Sequence, residues 1–432
     1  MKEIYKKIIT FVAKMERTGF FSIVFSNTLV KVVAFLGGTI LVRVLNKNDY
    51  GVYSYVMNAI GFLFVLGDMG TGMATLQFTQ ENYKDKAKFK AYSAWGLKMT
   101  FVFSFFPVLC VIMSPFYYPF TVEGAKELVV MLFALPFINN LNTFFQTNLR
   151  VHLQNNKFAI LNIVSIVIHY TVLLPLAFEF GVTGAVLANY GYGLLTLLVA
   201  VIINRKNIYA GHKYTKIISR EEKKHFFKLS VPTQLNSMIS QIMVLIDVFM
   251  VGLFFSDSEV IASYKVATTI PSACSFIPTS IMVYAVPYFS RNKDNTKWLN
   301  KNFKKLIAMT SSLCLLICLV GIGTAKWVIP LVFGEQYVDA IICYVILLIG
   351  FVFSGGLQTP SVNILYTQRK VKINLIITIS CGMLNVIFDV IGIKYYGSVG
   401  AAIATTMVNI IGAAFAFLYA IIILKKNERE KS

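Results

Sequence analysis

Long apolar segments alternate with short basic loops along the whole chain, and a soluble core has no use for so many of them. A bilayer core needs about 20 apolar residues per helix. Such segments fall near residues 20–44, 50–74, 91–113, 126–148, 158–178, 182–203, 229–253, 260–288, 306–325, 339–358, 373–393 and 398–424. Over 432 residues the chain is 56% hydrophobic and 14% charged, with a mean hydropathy of +0.67. The pattern predicts an all-α membrane protein of about twelve transmembrane helices, because lipid offers backbone groups no partner outside a helix or a closed barrel.

The loops carry the orientation. One side collects 32 of the 40 Lys and Arg residues, the other side five, and three lie within segments. Basic loops stay cytoplasmic, so both termini and the Arg205 to Lys228 loop are expected there, in a multi-pass protein of the inner membrane. The same dispersion explains the net charge of +20 without a nucleic-acid partner, which would need a gathered basic patch. Residues 1–19 place Ile4, Ile8, Phe11, Val12 and Met15 at helical spacing among Lys2, Lys6, Lys7 and Lys14. They predict an amphipathic helix on the cytoplasmic membrane surface and no cleavable signal peptide. The six cysteines include no CxxC pair and the four histidines are scattered, so no metal, disulfide framework or cofactor is expected.

The chain also repeats itself. FGVTGAVLA, with Gly181 and Gly184, returns as YGSVGAAIA, with Gly397 and Gly400, after 216 residues, half the length. DYGVYSY and EVIASYKV give a weaker echo, placing Tyr53 and Tyr264 211 residues apart. Six helices per half is an even number, so the halves share one orientation about an axis along the membrane normal, with a cavity between them. The expected units are a six-helix bundle over 20–212 and a second over 213–432.

Ionisable groups inside the spans are costly, about 2.5–3.5 kcal/mol each on insertion scales, and are paired or wet. Counting residues from the span ends puts Asp247 and Lys265 at matching outer depth, and Asp68 and Lys98 at matching inner depth. Each is an expected pair, for ion coupling or for structure. Asp389 reads as solvated near the outer interface. Lys31 sits near the middle of the first span with no acidic residue at its depth, which points to water or an anionic ligand. Arg43 marks the outer end of the same span. Pro136, Pro271, Pro278 and Pro287 are expected to kink their helices.

LVRVLNKNDYGVYSY, LGDMGTGMATLQF, LVFGEQYVDA, NILYTQRKVKINL and YGSVGAAIAT, in this order and spacing, resemble segments of the polysaccharide flippases (Wzx type). These belong to the multidrug/oligosaccharidyl-lipid/polysaccharide exporter (MOP) superfamily, with the MATE multidrug extruders and the lipid II flippases. The resemblance runs from about Ser26 to Ile423. It implies two bundles in a MATE-like V, ion-coupled alternating access, and a cargo of undecaprenyl-pyrophosphate-linked oligosaccharide moved to the outer leaflet. It also implies a cavity lined by cations, to which Lys31, Lys265 and Arg43 are assigned. Membrane lipids, a polysaccharide polymerase and glycosyltransferases are the implied partners. At Gln77 the chain departs from the many relatives that carry a basic residue, so no direct charge contact is expected there.

Two other readings compete. A membrane polymerase or glycosyltransferase needs an acid and base on a sizeable outer loop, and the longest outer segments here, 114–125 and 326–338, hold no such pair, so no catalytic residue is assigned. A MATE-like exporter of small cations needs carboxylates in its cavity, whereas three lysines lie within the spans. A nucleotide-driven pump would need a GxxxxGK[ST] loop, which is absent from the sequence.

Overall fold

The structure is a computed structural model that describes residues 20–64, 67–117, 120–208, 214, 216–292, 295–368 and 370–429. The amphipathic helix expected over 1–19 lies outside the described residues. Among those described the fold is all helical: α1 Phe20–Val44, α2 Lys47–Phe64, α3 Thr71–Glu81, α4 Lys86–Phe103, α5 Phe105–Tyr117, α6 Ala125–Met131, α7 Leu135–Val151 and α8 Asn155–Asn204 come first. They are followed by α9 Arg220–Phe254, α10 Ser258–Cys274, α11 Phe276–Arg291, α12 Thr296–Phe333, α13 Ala340–Phe353, α14 Thr359–Thr367 and α15 Val371–Arg429.

Seven described helices are long and apolar enough to cross a membrane, or nine if each of two bent pairs is one span. The number is smaller than the expected twelve partly because α8 and α15 run for 50 and 59 residues. At 1.5 Å per residue these would reach about 75 and 90 Å, too long for one crossing of a core about 30 Å thick. Both reverse on a glycine. Gly181 has φ 57° and ψ −140°, and Gly397 has φ 61° and ψ −145°, a conformation that is essentially glycine's alone. Three residues on, Gly184 lies against the Leu176 carbonyl and Gly400 against the Gly392 carbonyl, with no room for a Cβ. Contact with the residue eight positions earlier is possible only if the chain folds back. The repeated sequence is thus a repeated corner.

Other breaks follow proline and glycine. The second span, expected as continuous over 50–74, is instead α2 and α3, separated at Gly67 to Gly70, where Gly67, Met69 and Gly70 all have positive φ. Between Pro271 and Pro278 the helix breaks at Ser275, separating α10 from α11. Pro136 opens α7 after a 48° bend from α6.

The chain forms two compact units: Met1–Leu45, Val56–Phe120 and Gly124–Met238; and Asn46–Tyr55, Thr121–Glu123 and Ile239–Ser432. In the first, α1 packs on α8 through the Tyr170 hydroxyl, which donates to the Ala34 carbonyl at 2.8 Å. Asn148 joins α7 to α8, donating to Asn204 Oδ1 at 3.1 Å and to the Asn207 carbonyl at 3.2 Å. Around these amides Phe144, Phe145, Leu149, Leu161 and Ala200 are buried together. Such interhelical hydrogen bonds and small-residue contacts hold helices in lipid, where apolar burial between helices gives little.

In the second unit, α15 is tied to α13 by Thr406, which donates to the Ile346 carbonyl at 2.9 Å. A π-helical turn, Ser354–Gln358, joins α13 to α14. Its Gly356 carbonyl accepts from Thr310 of α12 at 2.8 Å. Lys47 pairs with Asp339 at 2.9 Å within this unit.

The corners set a stability test. Gly181→Ala and Gly397→Ala should each cost about 1–3 kcal/mol through backbone strain, read as a lower midpoint of thermal unfolding in detergent. Gly323→Ala, in α12 with open space around its Cα, should leave the midpoint unchanged or slightly raised.

Candidate functional site: a carboxylate pair inside the second unit

The densest unsatisfied polarity in the second unit lies between α9, α10 and α15. Asp247 projects from the last turns of α9, and its Oδ2 accepts from the Thr405 hydroxyl at 2.8 Å. Asn385, on the first arm of α15, lines the same cavity as this carboxylate. One turn further along that arm, Asp389 is 0% exposed and feels the charge of Asp247. Asp247 Oδ1, both carboxylate oxygens of Asp389 and the Tyr264 hydroxyl of α10 are buried with no hydrogen-bond partner. A cavity of about 180 Å³ opens beside Asp247, lined also by Asn385 and Thr405 with Gln358, Thr378 and Asn409.

The local structure explains the assembly. Gly397 folds the two arms of α15 together, so that Asn385 and Asp389 on one arm reach the same place as Thr405 on the other. The π turn directs Gln358 inward, as π turns often do at functional sites. Asp389 feels the charge of Asp247, so a proton or a cation bound there lowers the repulsion between the two carboxylates. The oxygens present, from carboxylate, amide and hydroxyl groups, suit a proton or a hard cation. Among the described residues no group of three or more His, Cys, Asp or Glu forms a multivalent metal site.

This arrangement corrects three readings from the sequence. Asp247 and Lys265 form no ion pair among the described residues: matched depth fixes height along a helix but not the direction around it. Tyr264, not Lys265, faces Asp247, and Lys265 is half-buried one position, about 100°, further round α10. Asp68 and Lys98 form no pair either. Asp68 stands in the turn before α3 and satisfies its first N–H groups, accepting from Gly70 N at 3.0 Å, Gly72 N at 2.7 Å and Thr71 Oγ1 at 2.9 Å. These are the orphan donors of a helix start. Lys98 is exposed, its ammonium 6.0 Å from the Trp95 ring. Asp389, read as solvated, is buried, because its helix continues to Gly397 and turns this face toward Asp247.

In the first unit Lys31 is exposed on α1, one turn before Ala34, and no acidic partner is recorded for it among the described residues. Arg43 is exposed in the last turn of α1, where a cation complements the helix C-terminus. The sequence reading did not find Asn385, Thr405 or Gln358. Their one available signal was a run of polar residues at helical spacing, Asn385 with Asp389 and Thr405 with Asn409, on two helices that were otherwise apolar.

Comparisons with known proteins bear on the family and the fold. A family model described as "Polysaccharide biosynthesis protein" matches residues 40–342. No curated protein sequence matches significantly. Among solved structures, an inward-facing multidrug resistance MATE family transporter of the MOP superfamily superposes with a TM-score of 0.75 at 16% identity, over 93% of this chain and 96% of that one. The lipid II flippase MurJ in an inward closed conformation also gives 0.75, at 15% identity over 92% and 87%. A MOP superfamily transporter from Pyrococcus furiosus gives 0.57 at 16% identity over 95% and 94%. These likenesses establish the fold alone: an all-helical architecture shared with those structures.

The absence of an Asp247–Lys265 bond is directly testable. Combining Asp247→Lys with Lys265→Asp should be no better than the worse single variant in membrane expression and thermal midpoint in detergent. Recovery in the double variant would restore the pair.

Proposed function

The chain belongs to the polysaccharide biosynthesis protein family, and from that membership we propose that it is a flippase for an undecaprenyl-pyrophosphate-linked oligosaccharide. It would carry this cargo from the cytoplasmic to the outer leaflet by ion-coupled alternating access, with both termini in the cytoplasm. The observation that carries the reading is the family match across 40–342. The shared fold with transporters of the MOP superfamily supports transport over catalysis.

Lys31 is assigned to the anionic head group. An exposed ammonium inside a span is expensive against lipid, and cheap against water and a pyrophosphate that accepts charge-assisted hydrogen bonds. Lys265, on α10, is assigned to the same charge, and Arg43 to its exit at the outer end of α1. Binding remains reversible because a lysine contacts phosphate as a point charge, without the bidentate fork of arginine. The lysines disfavour a small organic cation as cargo.

Asp247 and Asp389 are assigned to ion coupling, with Asn385 and Thr405 as the neutral ligands. A proton or sodium ion entering this pair removes the repulsion between the carboxylates. Its arrival or departure therefore shifts the balance between two conformations of the second unit by the difference in ion affinity.

Lys31→Ala should abolish export while leaving expression and insertion intact, and Lys31→Arg should retain part of it, because the charge persists while the geometry changes. The measurement is surface polysaccharide in cells that depend on this chain, normalised for membrane expression. Full activity of Lys31→Ala would place the cargo's charge elsewhere.

A further inference from the structure

The first unit holds a second cavity, about 480 Å³, between the exposed face of α3 and the first turns of α9. Its volume lies within the range of small-molecule sites, about 300–1,000 Å³. The junction that forms it is fixed. The Ser230 hydroxyl donates to the Met69 carbonyl at 2.7 Å, and the backbone of Gly70 lies against that of Ser230. From this contact α3 presents Met73, Gln77 and Glu81, four residues apart and therefore on one face, and α9 presents Leu229 and Thr233. Gln80 stands at the side toward α7.

The hydrogen-bonding state of these side chains selects the ligand. Gln77 Nε2 donates to Glu81 Oε1 at 2.9 Å, Gln80 Nε2 to the Val151 carbonyl at 2.6 Å, and Thr233 Oγ1 to the Leu229 carbonyl at 2.8 Å. The hydroxyl proton and one proton of each amide are therefore engaged within the protein. The oxygens of Gln77, Gln80 and Thr233 and the second oxygen of Glu81 keep lone pairs, and each amide keeps one N–H, for a ligand. Among the described residues no Lys or Arg lines it. These few polar groups suit a ligand that both donates and accepts hydrogen bonds, and the Glu81 carboxylate disfavours an anion such as phosphate. Met73, Leu76 and Leu229 supply an apolar floor suited to the C–H face of a sugar ring.

We infer that this cleft binds a sugar residue, neutral or amino, of the lipid-linked cargo, separately from the pyrophosphate assigned to Lys31. The inference rests on the flippase reading for the source of the sugar, though not for the chemistry of the cleft. It lies against the N-terminal part of α9, which the flippase reading places toward the cytoplasmic side, where the cargo is loaded.

The test uses the full chain in detergent with Met73→Cys as reporter, following its labelling by a maleimide above the background of the parent chain. Oligosaccharide released from the host's lipid-linked pool should slow labelling saturably, and undecaprenyl pyrophosphate should not. Adding Gln77→Leu and Glu81→Leu should weaken the protection about tenfold, the effect of about 1.4 kcal/mol, with an unchanged thermal midpoint showing that the fold persists. No protection by the oligosaccharide, or protection by undecaprenyl pyrophosphate in its place, would overturn the inference. So would protection that survives in the triple variant. If the oligosaccharide protects the cleft but Lys31→Ala exports normally, the pyrophosphate assignment falls and the sugar site stands.

Discussion

Hydrocarbon offers no hydrogen bonds and little tolerance for charge, and each feature of this protein answers to that constraint. Backbone groups are satisfied inside helices, so the described chain is helical almost throughout. Where a helix must stop, a side chain takes over: Asp68 accepts from the first donors of α3, and Thr310 meets the freed carbonyl of Gly356 in the π turn. Corners that cannot be helical are placed on glycine. The same rule makes the exceptions informative, because a polar group left unsatisfied in such a structure has a ligand, a proton or water to meet.

Those exceptions divide by chemistry. The second unit gathers oxygen atoms with excess negative charge, at Asp247 and Asp389. In the first unit Lys31 stands without an acidic partner among the described residues, and a cleft presents oxygen acceptors over an apolar floor. A lipid-linked oligosaccharide is itself divided this way, into an anionic linkage, a hydroxylated glycan and an apolar tail, while an ion gradient supplies a cation. Assigning one class of group to each part of the transport cycle accounts for all three sets of residues without asking any side chain to serve two ligands.

The fold was largely legible because its signals are local. Apolar run length depends on neighbouring residues only, and Gly181 and Gly397 took matching backbone conformations at the positions the repeat marked. The site was less legible because it depends on direction around a helix. Depth along the chain brought Asp247 and Lys265 to the same level, but a step of one residue turns a side chain by about 100°, and Tyr264 took the place given to Lys265. Asp389 was misread for a related reason: the expected end of its helix at 393 put it near water, whereas the helix runs on to the corner at Gly397. Asn385 and Thr405 are brought together by that corner, and nothing in the order of residues names such a pairing until the reversal is known.

The central claim is that the buried carboxylate pair converts an ion gradient into movement of a lipid-linked glycan. The direct measurement is translocation of lipid-linked oligosaccharide in proteoliposomes, with a proton or sodium gradient imposed separately, for the parent chain and for Asp389→Asn. The account predicts that one of the two gradients accelerates translocation by the parent chain and that Asp389→Asn translocates at a rate indifferent to either. Translocation that ignores both gradients in the parent chain, or that responds equally in Asp389→Asn, would contradict it.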